Sequence, residues 1–513
     1  MKRFIAPAMI VLCLTAWLGA VEPTTARAGR LWLVVTRKMF TADLKPLVER
    51  RRREGFDVAV STLAPDKAIA SMKRRPSFIL LVGDDQPASR TENWYLPAPR
   101  RKLYRWRSVQ PKQFAADMLL GDFDNDLVPD APVGRLPVRT TKQLKGLVAQ
   151  IVAYESRQLS PDDLRLPAWG GSPGYNALVD AMTTSMALTT VKTNSPRWSR
   201  PWMILADPKH PLCGTPEKHA AMFTKQLSRG GAIGVMMGHS SPTGFHSMKS
   251  GGKDIWFTAR EARKGLTGGP PAPAVTIFSC DTGNFAGKRE SLAESMLLTP
   301  GGPVAVIAAT TESHPLTNYF TGLCLLQSLG RGHKRLGDLW LDAQRKAKLA
   351  RNPLLERLLR DVEGKLEDKI NVDKLRRDQM LMYALLGDPA TRVHLPDRLR
   401  GKIKYVDGKW KWQARRPEGT TVLHVGFRAD GQSIPMPRTP EDRADRDKLF
   451  ARADETFAFK PLGRLGPGDT WAGTLAGEGT LRLVAVGPGK IYAAAINLRR
   501  PTTRPAPARA AKQ

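Results

Sequence analysis

With 513 residues, 42% of them hydrophobic, the chain is long enough to bury a large core and to divide into roughly two to four domains, which excludes a disordered basic tail. Its 80 lysines and arginines against 48 aspartates and glutamates leave a formal net charge of +32, which favours contact with polyanions such as nucleic acid, anionic lipid or acidic polysaccharide without selecting among them. No nucleic-acid fingerprint accompanies the charge, and short groups such as "ERRRREG" (Glu49–Gly55) and "KRR" (Lys73–Arg75) read as solvated surface.

The chain opens on "MKRF", an apolar stretch "IAPAMIVLCLTAWLGA" and the small-x-small sequence "ARA" at Ala26–Ala28, the pattern of a secretory signal peptide over residues 1–28. Pro7 and the shortness of the apolar core argue against a membrane span, and Cys13 lies inside that core rather than at a lipoprotein cleavage point. No later segment reaches the roughly eighteen uninterrupted apolar residues of a spanning helix, so a secreted or periplasmic protein is expected. Three cysteines then remain, Cys213, Cys280 and Cys324. An odd number leaves at least one without an intrachain partner, and a Cys213–Cys324 bridge with Cys280 free is one connectivity that the sequence leaves open.

From residue 29 the elements follow in order. "LWLVVT" (Leu31–Thr36) reads as a buried strand, "LKPLVERRRREGFDVAV" as a helix ending near Gly55 and a second strand, and "SFILLVGD" (Ser77–Asp84) as a third. After an irregular stretch around Arg90–Pro111, "TKQLKGLVAQIVAYES" (Thr141–Ser156) shows a helical face of Leu144, Leu147, Ile151 and Tyr154. "WMILAD", "AIGVMM", "AVTIF" and "PVAVIAA" are strand candidates between glycine, proline and helix-compatible segments, and a charged helical region spans Asp342–Gln379. The pattern predicts an open, mostly parallel α/β sheet with flanking helices, divided into subdomains 29–140 and 141–395. From about Gly401 shorter runs such as "TTVLHVGF", "ETFAFKPL", "TLRLVAVG" and "KIYAAAINL" alternate with glycine-rich turns, which predicts a small all-β, sandwich-like domain over 396–500. "PTTRPAPARAAKQ" (501–513) reads as a disordered tail.

Two of the apolar runs end on reactive residues. "GAIGVMMGHS" stops at His239 and "PAVTIFSC" at Cys280, and open parallel sheets place their reactive loops beyond the carboxyl ends of strands. A cysteine thiolate attacks a carbonyl carbon, a histidine carries the proton near neutral pH, and backbone amides at Gly238, Ser240 and Cys280 are candidates to hold the resulting oxyanion. A buried structural cysteine and a satisfied core histidine are the alternative reading of the same pair. In "GDFDNDLVPD", Asp122, Asp124, Asp126 and Asp130 offer hard oxygen ligands suited to calcium, against a solvated turn offsetting the basic surface; the run lacks the full EF-hand spacing. Asp281 reads as a turn cap or a loop hydrogen-bonding residue, Glu294 in "SLAESML" as a first-turn helix residue, and His314 as a solvated loop histidine rather than a pocket wall.

"GAIGVMMGHS", "AVTIFSCDTGNF" followed by "ESLAESML", and "GGPVAVIAAT" together resemble the gingipain-type cysteine peptidases within the caspase-like fold group. The likeness continues through "LVGDDQP", "GDFDNDLVPDAPVGRLPV" and "YALLGDPATRVHLP", covering most of residues 30–395. It implies a dyad in which Cys280 attacks the scissile peptide carbonyl and His239 assists proton transfer, through an acyl-enzyme and with no metal in the chemistry. It also implies a structural calcium at the acidic run, and it sets Asp180 of "WGGSPGYNALVD" where arginine-specific relatives carry the pocket carboxylate, which would pair with a substrate guanidinium. Two positions depart from the family. Ser240 stands where relatives commonly have glycine, which would crowd the oxyanion region, and Trp169 stands where some relatives have an acidic residue orienting the histidine, a task that would then fall to a backbone carbonyl.

Two functions follow as expectations. One is an exported cysteine endopeptidase acting on protein or peptide substrates, with cleavage after Arg or Lys. The other is a catalytically altered scaffold that binds acidic envelope material or extracellular polyanions.

Overall fold

The computed structural model describes residues 29–104, 113–174, 177–357, 371–437 and 444–500. The expected leader over residues 1–28, the tail 501–513 and parts of the predicted irregular and charged-helical stretches lie outside the described residues. Among the described residues no helix is long and apolar enough to cross a membrane.

Ten strands form one sheet. Their spatial order is Asp57–Ser61, Leu31–Thr36, Phe78–Val82, Val133–Leu136, Tyr383–Leu386, Val306–Ala309, Val275–Phe278, Gly234–Met237, Arg165–Gly170 and Arg200–Leu205. Tyr383–Leu386 runs antiparallel to Val306–Ala309 and makes a two-residue parallel pairing with Val133–Leu136; the other neighbours are parallel. Helices cover both faces, so the inner strands are apolar throughout: Phe78–Val82, Val275–Phe278 and Val306–Ala309 are buried at every residue.

The charge pattern alone misassigned one arginine. Arg51, from the run read as solvated surface, is wholly buried, with Glu155 at 3.0 Å and Asp388 at 2.7 Å. Asp388 also accepts from Trp32 Nε1 at 3.1 Å, and Arg50 pairs with Glu155 from the same turn. These carboxylates hold the Arg51 guanidinium charged against its burial. At another seam, Gln86 Nε2 donates to Lys288 O at 3.0 Å and the Arg135 guanidinium lies 4.7 Å from the centre of the Phe285 ring. The loop after Phe78–Val82 and the strand Val133–Leu136 itself therefore reach the loop that follows Val275–Phe278.

The described part of the charged helical region includes helices Leu336–Leu349 and Val372–Met382, on either side of the undescribed residues 358–370. Beyond residue 396 a five-stranded and a three-stranded sheet share a core that includes Leu399, Trp412, Leu423, Trp471, Leu483 and Leu498. This region also contains a helix, Arg446–Glu455, so it is not wholly β, and "ETFAFKPL" is the end of that helix and the start of strand Lys460–Leu465 rather than one strand. The helix packs onto the large sheet: Phe450 meets Trp202 edge-on at 5.7 Å, Asp447 accepts from Thr215 Oγ1 at 2.7 Å and Asp454 pairs with Arg200 at 2.5 Å.

The three cysteines among the described residues are free, so the Cys213–Cys324 bridge is not formed. Cys213 sits beside Ala206 and Met248, whereas Cys324 packs with Phe320 and Ala347 in a separate cluster.

Candidate functional site

Strand Gly234–Met237 pairs in parallel with Val275–Phe278, in the register Met237 opposite Phe278. His239 and Cys280 each stand two residues beyond that matched pair, so the two strands deliver them to one edge of the sheet at the same level. The Gly238 amide donates to Phe278 O at 3.2 Å and extends the ladder past the last strand residue. That bond removes Gly238 from the predicted oxyanion donors, because its N–H already points into the sheet.

The cysteine loop is held by backbone atoms. Asp281 takes φ 58°, a left-handed conformation that short polar residues tolerate, and its amide donates to Thr311 O at 2.9 Å. The Gly283 amide donates to Ala309 O at 2.8 Å, and a Cβ there would lie 2.5 Å from Ala308 O, so only glycine permits the approach. Leu292 N donates to Pro242 O at 2.8 Å, which ties this loop to the one after His239. Ser291 and Glu294 form a reciprocal capping box at the start of helix Leu292–Leu298, the first-turn position expected of Glu294. Burial, together with the Asp84 charge, pushes the Glu294 carboxyl up to about 8, and Arg139 lies between the two, 2.6 Å from Asp84 and 3.8 Å from Glu294.

His239 is an exposed ring whose Nε2 lies 2.7 Å from Pro173 O, on the loop that follows strand Arg165–Gly170. A backbone carbonyl is thus at the ring. Trp169 is 1% exposed, its indole packed against Phe223, Phe245, Phe257 and His219, with Nε1 donating to Ser247 Oγ at 3.3 Å.

Ser240 is tied to the cysteine loop: its Oγ donates to Cys280 O at 2.5 Å. The His246 amide donates to His239 O at 2.9 Å and Ser240 is the next residue in that hairpin, opposite Phe245. Antiparallel pairs alternate between bonded and non-bonded, so the Ser240 N–H turns away from its hairpin partner. Cys280 is half-buried, its Sγ 3.6 Å from Ser313 O and 4.0 Å from Ser313 Oγ.

A cysteine–histidine contact lies elsewhere in the chain. Cys213 Sγ lies 4.0 Å from His219 Nε2, and that nitrogen is 2.7 Å from Cys213 O while Nδ1 is 2.7 Å from Ser247 Oγ. Burial pushes the Cys213 thiol up to about 12 and the His219 ring down to about 4.

Three of the four predicted metal ligands converge: carboxylate oxygens of Asp122, Asp124 and Asp130 lie within 4.8 Å of one another. Asp126 is not part of that group, because its carboxylate accepts the Val128 amide at 2.7 Å within the turn. Asp180 stands in the first turn of helix Ala177–Asn194, partly exposed. His314 is not a solvated loop residue. It is 6% exposed, and its Nδ1 accepts the Leu316 amide at 3.1 Å as the N-cap of helix Pro315–Leu329. The sequence reading expected a backbone carbonyl at the histidine but could not name Pro173, because a backbone oxygen has no residue-type signal, and it did not single out Ser313, which belongs to a strand-end loop remote in sequence from both candidates.

Residues 27–394 match the family model described as peptidase family C25. The crystal structure of the Arg-specific cysteine proteinase gingipain R is similar over 92% of this chain and 98% of its own, at 14% identity and a TM-score of 0.53. The complex of the pro- and mature domains of RgpB from Porphyromonas gingivalis matches over 92% of this chain and 100% of its own, at 14% identity and 0.51. A structure described only as a protease matches over 91% and 97%, at 12% identity and 0.54. At these identities the structural likeness is one of fold. No curated protein sequence matches the chain.

Proposed function

The chain belongs to peptidase family C25 and is by that membership a cysteine-type endopeptidase, and on that premise we propose that Cys280 is its nucleophile and His239 its proton carrier. The observation that carries the assignment is the register of Met237 opposite Phe278, which sets the two residues at one level of the sheet edge. With His239 Nε2 donating to the Pro173 carbonyl, proton transfer falls to Nδ1. The thiol proton passes to the ring, sulfur bonds to the scissile carbonyl carbon, and the Ser240 and Cys280 amides receive the oxyanion. The imidazolium then protonates the departing amine, and water, deprotonated by the same ring, releases the acyl group and regenerates the thiol.

Two finer readings belong with this one. Gingipain R is described as Arg-specific, and Asp180, early in helix Ala177–Asn194, is the carboxylate we assign to a basic side chain of the substrate by paired, charge-assisted hydrogen bonds. Asp122, Asp124 and Asp130 fit a hard divalent cation: burial and the neighbouring Asp124 push the Asp122 carboxyl up, a penalty that calcium would offset while stiffening the turn. Cleavage of the leader at Ala28 would release the mature chain outside the cytoplasm.

The deciding experiment incubates mature, reduced protein with a mixed peptide library, with and without calcium, beside Cys280→Ala, and maps cleavage sites by mass spectrometry. Cuts that depend on Cys280 and follow Arg or Lys are expected. A folded, calcium-treated protein that cuts nothing would favour the polyanion-binding scaffold.

A further inference from the structure

Behind Cys280 runs a buried chain of hydrogen bonds that the dyad itself does not require. Tyr383 Oη donates to Asn318 Oδ1 at 2.7 Å and Gln379 Nε2 donates to the same oxygen at 3.0 Å. Two donors on one oxygen fix the amide, so Asn318 Nδ2 faces the other way and donates to Ser313 Oγ at 2.8 Å. Gln379 Oε1 lies 2.9 Å from Thr317 Oγ1, whose one proton is shared between it and His314 O at 3.0 Å. Ser313 and Asn318 are each 6% exposed, Gln379 3% and Tyr383 0%, so water does not compete along the chain. Burial pushes the Tyr383 phenol well above its ordinary range, which keeps it a donor.

The direction of donation matters. Asn318 gives its proton to Ser313 Oγ, and the Ser313 hydroxyl, which also lies beside the Tyr383 oxygen, has one proton to turn towards a further acceptor. Cys280 Sγ lies 4.0 Å away, the outer limit for sulfur, while the thiol proton faces Ser313 O at 3.6 Å. Ser313 thus presents a carbonyl to the protonated thiol and a hydroxyl to the thiolate.

Resting on the assignment of Cys280 as nucleophile, we propose that Ser313 is a further catalytic residue, its hydroxyl donating to the thiolate once the proton has left for His239, with Asn318, Tyr383 and Gln379 as positioning residues. The carbonyl holds the proton on sulfur in the resting enzyme; the hydroxyl receives the charge when substrate arrives. A hydrogen bond to a charged acceptor is among the stronger ones, and it stabilises only the thiolate form.

The test is the pH dependence of Cys280 alkylation by iodoacetamide, followed on the Cys280 peptide by mass spectrometry in the full mature chain. Relative to wild type, Ser313→Ala is expected to move the midpoint to higher pH by about one unit, equivalent to about tenfold in thiolate fraction below it. Ser313→Thr, which keeps a hydroxyl, restores the midpoint, and Tyr383→Phe moves it in the same direction by less. In peptide cleavage the loss falls on kcat with KM unchanged. An unmoved midpoint in Ser313→Ala overturns the proposal even where cleavage depends on Cys280. A moved midpoint in a protein that cleaves nothing sustains the contact and removes the peptidase reading instead. If Ser313→Ala does not fold, Tyr383→Phe decides, since it keeps the ring's packing against Phe278 and Trp340, and an unmoved midpoint there overturns the proposal.

Discussion

The molecule contains two cysteine–histidine neighbourhoods, and the one with the closer side-chain packing is the one unsuited to chemistry. Around His219 the donors run in series: Trp169 Nε1 to Ser247 Oγ, Ser247 to Nδ1, and Nε2 to Cys213 O. Every polar atom of that ring has a neutral partner, and the thiol is pushed up to about 12 by burial, so neither member can take a charge. Around His239 the order is reversed. The ring is exposed, one nitrogen is held by a backbone carbonyl, and the half-buried thiol stands two residues past a strand end. On the proposed assignment, proximity of sulfur and imidazole is not what separates a nucleophile from a core thiol; access and the protonation states that burial allows are.

The sharpest way to break this contrast is to exchange the cysteines' fates. Cys280→Ala should abolish peptide cleavage, a loss of at least about a thousandfold in kcat/KM, whereas Cys213→Ala should keep kcat/KM within about threefold while losing about 1–2 kcal/mol of stability from the core. Urea unfolding beside a cleavage assay checks both. Activity that follows Cys213 would reverse the assignment.

A second probe removes the buried ring. His219→Leu leaves Ser247 Oγ and Cys213 O enclosed without their partner, and the expected cost is about 2–4 kcal/mol in thermal or urea unfolding, with little change in kcat for the protein that remains folded.

The same ring sets a pH dependence. His219 and His394, both depressed by burial to about 4 from 6.5, take up protons on unfolding, so their stabilisation is complete above about pH 6.5 and is lost as pH falls towards 4. Each contributes about 3 kcal/mol across that window. Glu294, raised by burial and by Asp84 to about 8 from 4.5, acts with the opposite sign, its stabilisation falling as pH rises through that interval. The sum places maximal stability near pH 6.5, and His219→Leu should flatten the acid limb by one proton. An acid limb of unchanged slope in that variant would show that His219 is not buried neutral.

What the sequence disclosed and what it hid divide along the same line between local and distant causes. Apolar runs such as "FILLV" and "VTIF" marked their strands because both faces are covered, and the shared strand-end position of His239 and Cys280 could be inferred from where two such runs stop. The Ser291–Glu294 box was readable because it lies within four residues. Arg51 was not, since four consecutive arginines look alike until Glu155 and Asp388 arrive from 104 and 337 residues away. Helix Arg446–Glu455 was missed because its buried apolar residues Leu449, Phe450 and Ala453 are few, and Phe450 and Ala453 belong to the core of the large sheet. The Gly238 amide, the Pro173 carbonyl and the cap role of His314 depend on backbone geometry that residue types do not carry.

The smallest expected effect concerns the two serines that mark the two neighbourhoods. Ser247 is enclosed and completes a proton chain, while Ser240 is half-buried and joins the histidine loop to Cys280 O through one hydroxyl. If Ser240 obstructed the oxyanion, Ser240→Gly would raise kcat. Its Oγ donates to the cysteine carbonyl and its N–H turns away from the hairpin, so the hydroxyl acts as a tie, and glycine keeps the amide but loses the tie. Ser240→Gly should therefore lower kcat by about two- to threefold, leave KM unchanged and cost about 1 kcal/mol of stability, near the value of one neutral hydrogen bond. Ser240→Ala, with the same loss but less backbone freedom, should match it in kcat and unfold slightly later. A rise in kcat on either change would mean that the serine narrows the space the oxyanion needs, and that the family's usual glycine is there for room rather than for turn geometry.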